Sequence, residues 1–213
     1  VQGEKLMHGA CLDFVALCTI HGAANTCYTG ECHGGGLVRD YDVFKLFGVD
    51  RPAPRQFQRV LDVGSQDING NMRTYDFLGH PPKWLERIGS PEYVGIDLHA
   101  GRNVDYVMSS HSMTFEDESA DLVTCLNMLE HDRDPQATIK ECFRVLEPGG
   151  ELVLVCTNEK GAPHPHLGGG EDHYDDGITN DRLRGMLTDA GFLITYCLEH
   201  GGDNLAYCTK PKT

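Results

Sequence analysis

Beyond residue 58 the chain alternates short apolar runs with segments whose apolar positions recur every three or four residues. The runs are RVLDV from Arg59, EYVGIDL from Glu92, VDYVMS from Val104, ADLVTCLN from Ala120 and GELVLVC from Gly150. Each is short and bounded by turn residues, so each predicts a strand. DPQATIKECFRVL puts Ile139, Cys142, Phe143 and Leu146 on one face and predicts a helix from Pro135 to Leu146. Pro135 suits its first turn, and Pro148-Gly149-Gly150 ends it. TNDRLRGMLTDAGF predicts a second helix, capped by Thr179 or Asn180 and closed at Gly191. FLITYCLEH and NLAYCTK predict a closing antiparallel pair, and an irregular helical region ending in PPKWLERIG fills the gap after the first strand. Apolar strands alternating with helices specify an α/β architecture with a mostly parallel sheet and right-handed crossovers.

The first part of the chain reads differently. Leu6, Ala10, Phe14, Leu17 and Cys18 fall at helical spacing, HGAANTCYTGECHGGG is rich in turn residues, and LVRDYDVFKLFGVD suggests another helix broken by RPAPRQ. Residues 1–57 are therefore read as a helical cap with a Cys/His-rich turn, and 58–213 as the main α/β domain. A length of 213 residues leaves no room for a second large domain, and no internal repeat is present. The first residue is Val rather than Met, so a missing or processed native N-terminus is expected.

A formal charge of −14 argues against a nucleic-acid partner or an anionic membrane surface, both of which need clustered Lys and Arg. No apolar run approaches the roughly 20 residues of a bilayer span, and VQGEKLMHGA lacks the order of a signal peptide. The nine cysteines are odd in number, and Cys125, Cys142, Cys156, Cys197 and Cys208 lie in apolar runs, which fits a reducing, cytoplasmic setting. A small molecule is the expected partner; the oligomeric state is left open.

Two strand ends carry the chemistry. VLDVGSQDING stops an apolar strand at an acid and a glycine, and EYVGIDL ends a second strand in Asp97. In an open α/β sheet ligands sit at the carboxyl ends of the strands, and an acid at the second tip is placed to hold ribose hydroxyls. With FEDESADLVTCLNMLEH and FRVLEPGGELVLV, these stretches resemble the class I S-adenosylmethionine-dependent methyltransferases of the small-molecule type, over about Arg59 to Thr209. The resemblance implies a Rossmann-like sandwich: a seven-stranded, mostly parallel sheet with a reversed final strand and helices on both faces. It also implies S-adenosyl-L-methionine as cofactor.

By that resemblance Asp62 and the backbone through Gly64, Ser65 and Gln66 meet the methionine part of the cofactor. Asp97 accepts from both ribose hydroxyls, with Leu98 beside it. Ser110 and His111 lie near the adenine, where the family more often has an acid, and Asn127 lines the sulfonium side. The glycine loop departs from the family pattern, with Gln66 and Ile68 at two glycine positions. Either the loop is displaced and still passes the cofactor, or the pocket has lost it; solvated turns and a solvated Asp97 are the plainer alternatives.

Methyl transfer is a displacement in which the protein chiefly aligns the partners, and a hydroxyl acceptor also needs a base. His131 is the candidate catalytic base, with a role in structuring its turn as the alternative; Glu130 is ambiguous in the same way. No NPPY-like tetrad follows the fourth strand, which argues further against a nucleic-acid base as acceptor. Cys18, His21, Cys27, Cys32 and His33 lack a C-x2-C pair and are read as a packed turn, with zinc as the alternative. His164, His166, Glu171, Asp172, His173 and Tyr174 are read as an acceptor-gating loop, with a metal as the alternative. The expected activity is methyl transfer to an oxygen or nitrogen of a small molecule. The competing readings are a catalytically inactive methyltransferase-like binding or regulatory module, and a dinucleotide-dependent dehydrogenase, which the missing GxGxxG disfavours.

Overall fold

The computed structural model describes residues 56–66, 91–161, 176–200 and 202–212. The helices expected within 1–57, the Cys18–His33 cluster, the helical region before Pro91 and the loop containing His164, His166 and His173 lie outside these residues. The described elements are β1 (Arg59–Val63), β2 (Glu92–Asp97), β3 (Tyr106–Val107), β4 (Ala120–Leu126), a 3-10 turn (Leu129–His131), α1 (Pro135–Val145), β5 (Leu146–Thr157), α2 (Asn180–Ala190), β6 (Leu193–His200) and β7 (Asp203–Thr209).

The seven strands form one sheet in the order β3-β2-β1-β4-β5-β7-β6. β1 to β5 pair in parallel, and β7 runs antiparallel to both β5 and β6. This is the expected sheet, with its reversed final strand. Parallel strands buried on both sides read as continuous apolar runs, and β4 is buried from Ala120 to Cys125. β1 and β4 lie side by side at the centre, with Leu61 opposite Val123 and Val63 opposite Cys125.

Both helices begin where their caps dictate. Asp134 accepts the Ala137 amide at 3.2 Å ahead of Pro135, and Thr179 accepts the Arg182 amide at 3.2 Å, which decides between Thr179 and Asn180. Gly191 closes α2 with φ 101°, a left-handed value that suits glycine. α1 and α2 pack on each other, and Ile139, Cys142, Leu183 and Leu187 join the same apolar core as Leu61 and Val63. All five cysteines among the described residues are buried free thiols, as their apolar settings suggested.

Three boundaries differ from the sequence reading. α1 stops at Val145 and β5 begins at Leu146, not at Gly150, because Leu146 already pairs with Ala120. The Glu147–Gly150 stretch is an irregularity inside the strand, and Gly149 adopts φ 83° there. β3 is only two residues long. The Asp105 carboxylate takes the Gly95 amide at 2.8 Å, so regular pairing with β2 begins only at Tyr106. β4 ends at Leu126 because Asn127 turns left-handed, with φ 52°.

Candidate functional site

The carboxyl ends of β1, β2, β3 and β4 point the same way, and the turns that follow them surround a cavity of about 310 Å3. That volume is within the usual range for small-molecule sites. Gly64, Ile96, Asp97, Leu98 and His99 line it from β1 and β2, Met108 to His111 from β3, and Met128, His131, Asp132 and Arg133 from β4.

The turn after β1 is tightly held. The Gly64 and Ser65 amides both donate to the Ile96 carbonyl, at 2.9 and 3.0 Å, so the chain folds over the end of β2. Gly64 has φ 76°, and a Cβ there would sit 2.6 Å from Met128 Cβ, so glycine is required on both counts. The Gln66 amide reaches Asp97 Oδ2 at 3.3 Å, and its side chain donates to the Ala100 carbonyl at 3.3 Å. Gln66 thus packs on the β2–β3 turn and does not line the cavity, which reconciles a large residue at a glycine position with an open pocket.

Asp97 stands at the tip of β2 with its oxygens accepting the Gln66 and His99 amides. A carboxylate has about four lone-pair directions, so two acceptor positions remain for a pair of ligand hydroxyls. Asn127 ends β4 in a left-handed conformation, and its Oδ1 is buried without a hydrogen-bond partner. Asn127 is not among the residues that line the cavity, so the structure does not bring this expected site residue to its wall.

Asp62 is placed otherwise. It does not line the cavity: its carboxyl accepts the Thr124 hydroxyl at 2.7 Å and the Tyr93 hydroxyl at 2.8 Å, bridging β1 to both neighbouring strands. Burial holds its pKa above the usual 3.8 despite these two bonds, and burial with the nearby Asp62 pushes the Tyr93 hydroxyl up. Because the folded carboxyl titrates above its unfolded value, its contribution to stability is complete below pH 3.8 and is lost as pH rises through the folded value. Asp62→Asn, which keeps one acceptor and adds a donor without charge, is therefore expected to be at least as stable as the parent at pH 7. Any advantage should shrink as pH falls to about 4. Urea unfolding at the two pH values tests this, and a clear loss of stability at pH 7 contradicts it.

Ser65, another expected site residue, donates to the Asn103 carbonyl at 2.9 Å and is buried off the cavity wall. Gly64, Asp97, Leu98, Ser110, His111 and His131 come together on that wall. The sequence reading missed Asp132. Its carboxylate accepts His111 Nε2 at 2.7 Å and the Asp134 amide at 2.8 Å on Oδ1, and the Thr138 hydroxyl at 2.6 Å on Oδ2. The available signal was Thr138, a polar residue beside Ile139 on the apolar face of α1. Glu130 is fully buried and takes the Thr157 hydroxyl at 3.1 Å, while its carbonyl takes the Asp176 amide, so this carboxylate braces the turn.

Comparison with known proteins gives these features a context. A family model described as a methyltransferase domain matches residues 78–154. The chain is 36% identical over 155 residues to the ubiquinone biosynthesis O-methyltransferase of Xanthomonas euvesicatoria, covering 64% of this chain and 63% of that one. It is 41% identical over 131 residues to the protein of the same name from Pseudomonas fluorescens, covering 57% of this chain and 53% of that one. The chain thus spans less than two thirds of the length of these curated relatives. Among solved structures, phosphoethanolamine N-methyltransferase 2 of Haemonchus contortus, in complex with S-adenosyl-L-methionine, aligns with a TM-score of 0.54 at 14% identity, over 78% of this chain and 51% of that one. At that identity the likeness concerns the fold. Among the described residues no helix is long and apolar enough to cross a membrane, and no His, Cys, Asp or Glu group is arranged to hold a metal.

Proposed function

We propose that the chain is a class I S-adenosylmethionine-dependent methyltransferase and that it transfers a methyl group from S-adenosylmethionine to an oxygen of a small acceptor. The observation that carries this is the cavity between Gly64, Asp97 and His131, at the carboxyl ends of adjoining parallel strands. The choice of oxygen follows the names of the O-methyltransferase relatives.

The donor set suits this cofactor. Asp97 has two acceptor positions left for ribose hydroxyls, and Gly64 brings backbone rather than a side chain to the cavity wall beside it. Bound S-adenosylmethionine supplies a methyl group on a positively charged sulfur. The protein then has to align the acceptor oxygen, exclude water and take up a proton. Alignment is the largest contribution. His131, on the cavity wall in the 3-10 turn after β4, is the group proposed to accept the hydroxyl proton.

Gln66, packed on Ala100 and away from the cavity, argues against a pocket lost through its altered glycine loop. Calorimetry with S-adenosylmethionine and with NAD is the first test, with binding of the former alone expected. His131→Asn should leave that binding unchanged and lower turnover with a hydroxylated acceptor by about 100-fold, within the usual range for loss of a general base. Failure to bind the cofactor sinks the proposal; undiminished turnover in the variant removes His131 from the reaction.

A further inference from the structure

The connection from β3 to β4, residues 108–119, supplies one wall of the cavity through Met108 to His111, yet it contains neither helix nor strand. Among the described residues its backbone closes one hydrogen bond on itself, from the Ser112 amide to the Ser109 carbonyl at 3.4 Å. A segment with so little internal bonding keeps one shape only when something outside holds it. Here α1 holds it. The Ser110 and Thr138 hydroxyls lie 2.7 Å apart, the Met113 amide donates to Glu141 Oε2 at 2.8 Å, and the Glu118 amide donates to the Arg144 carbonyl at 3.1 Å. Thr138, Glu141 and Arg144 follow one another every three residues along one side of the helix. Arg144 carries most of the load. A guanidinium has five N–H donors, and all five are engaged within 2.9 Å. Nε and Nη2 donate to the two Glu141 oxygens, Nη2 also to the Met113 carbonyl, and Nη1 to the Phe115 carbonyl and the Asp117 carboxylate. Glu118 is held left-handed at φ 59°, a conformation that a non-glycine residue keeps only where its surroundings fix it.

We propose that Glu141 and Arg144 are remote positioning residues for cofactor binding, splinting residues 113–118 so that the wall ahead of them stands in its binding-competent shape before any ligand arrives. The inference rests on S-adenosylmethionine being the cofactor. Neither side chain lines the cavity, and neither do residues 112–119. Their effect therefore passes through the connection and not through a ligand contact. With the splint removed, the connection samples other shapes, and the measured dissociation constant rises by the reciprocal of the competent fraction. Lysine cannot replace Arg144, because a single ammonium cannot reach two carbonyls and two carboxylates that a planar fork spans at once.

The test is calorimetry with S-adenosylmethionine on the whole chain, at a temperature where each variant is folded, together with hydrogen exchange at the Met113 amide. Arg144→Ala should weaken binding about tenfold, as for a competent fraction of about one tenth. Arg144→Lys should recover little of that loss. In the parent the Met113 amide should be protected with or without the cofactor, whereas in Arg144→Ala it should be protected only when the cofactor is bound. Thr179→Ala separates positioning from stability. It removes the cap of α2, which touches no part of the connection, so it should lower the melting temperature and leave the dissociation constant at the parent value. Should Arg144→Ala not fold, Glu141→Gln gives the same comparison with a loss of about threefold. An unchanged dissociation constant in the Arg144 or Glu141 variant, or an equal loss in Thr179→Ala, overturns the splint and leaves the pair a role in stability alone. Absence of binding by the parent protein would refute the cofactor itself, and the proposal with it.

Discussion

Asp97→Ala is expected to weaken S-adenosylmethionine binding about a hundredfold, equivalent to about 2.7 kcal/mol. Hydrogen bonds to a charged acceptor contribute roughly 1.5 to 3 kcal/mol each, and the carboxylate has two positions left after the Gln66 and His99 amides are served. Losing both would exceed a hundredfold if water could not substitute; the exposed neighbours Leu98 and His99 show that water reaches this strand tip. Asp97→Asn should fall between the parent and the alanine variant, because one oxygen remains an acceptor. Calorimetry gives the affinities, and a thermal melt distinguishes a binding defect from unfolding. An unchanged dissociation constant in Asp97→Ala would remove this residue from the ribose site.

Gly95→Ala is expected to be the most disruptive single methyl group in the described structure, costing about 3 kcal/mol, the upper end for overpacking. A Cβ at Gly95 would overlap the Asn103 carbonyl oxygen and approach Ser65 Oγ to 2.7 Å. The first obstacle is backbone and cannot rotate away. That same carbonyl holds the Ser65 hydroxyl, so the β2–β3 turn and the turn after β1 would have to move together. For a chain of this size the melting temperature should drop by roughly 6–12 °C. Gly185→Ala is the control: its Cβ meets nothing within 4 Å on the surface of α2, and the same change should be neutral or stabilising by up to about 1 kcal/mol. Equal melting temperatures for the two variants would contradict the packing described around Gly95.

The strands and helices that the sequence made legible are those determined locally. Pro135 after Asp134 and Gly191 after Ala190 mark helix ends through their own backbone preferences, whatever lies nearby. The early start of β5 was not legible, because Pro148-Gly149-Gly150 reads as a terminator. Only the pairing of Leu146 with Ala120, twenty-six positions away in the chain, makes a strand of it. The candidate site divides in the same manner. Asp97 and Gly64 were readable as the residues where apolar runs stop. Asp62 looks equivalent in the sequence, but its side chain turns to Tyr93 and Thr124, polar residues on the neighbouring strands. Asp132 was missed because its importance comes from His111, which belongs to another connection, and from Thr138, one turn into α1.

The turn after β1 is already bonded to β2 through Ile96 and Asp97, and not through anything a ligand would bring. Its conformational entropy was surrendered when the domain folded. At Gly64, Ser65 and Gln66 a docking molecule meets backbone already held to β2, so ordering these three residues costs the association little.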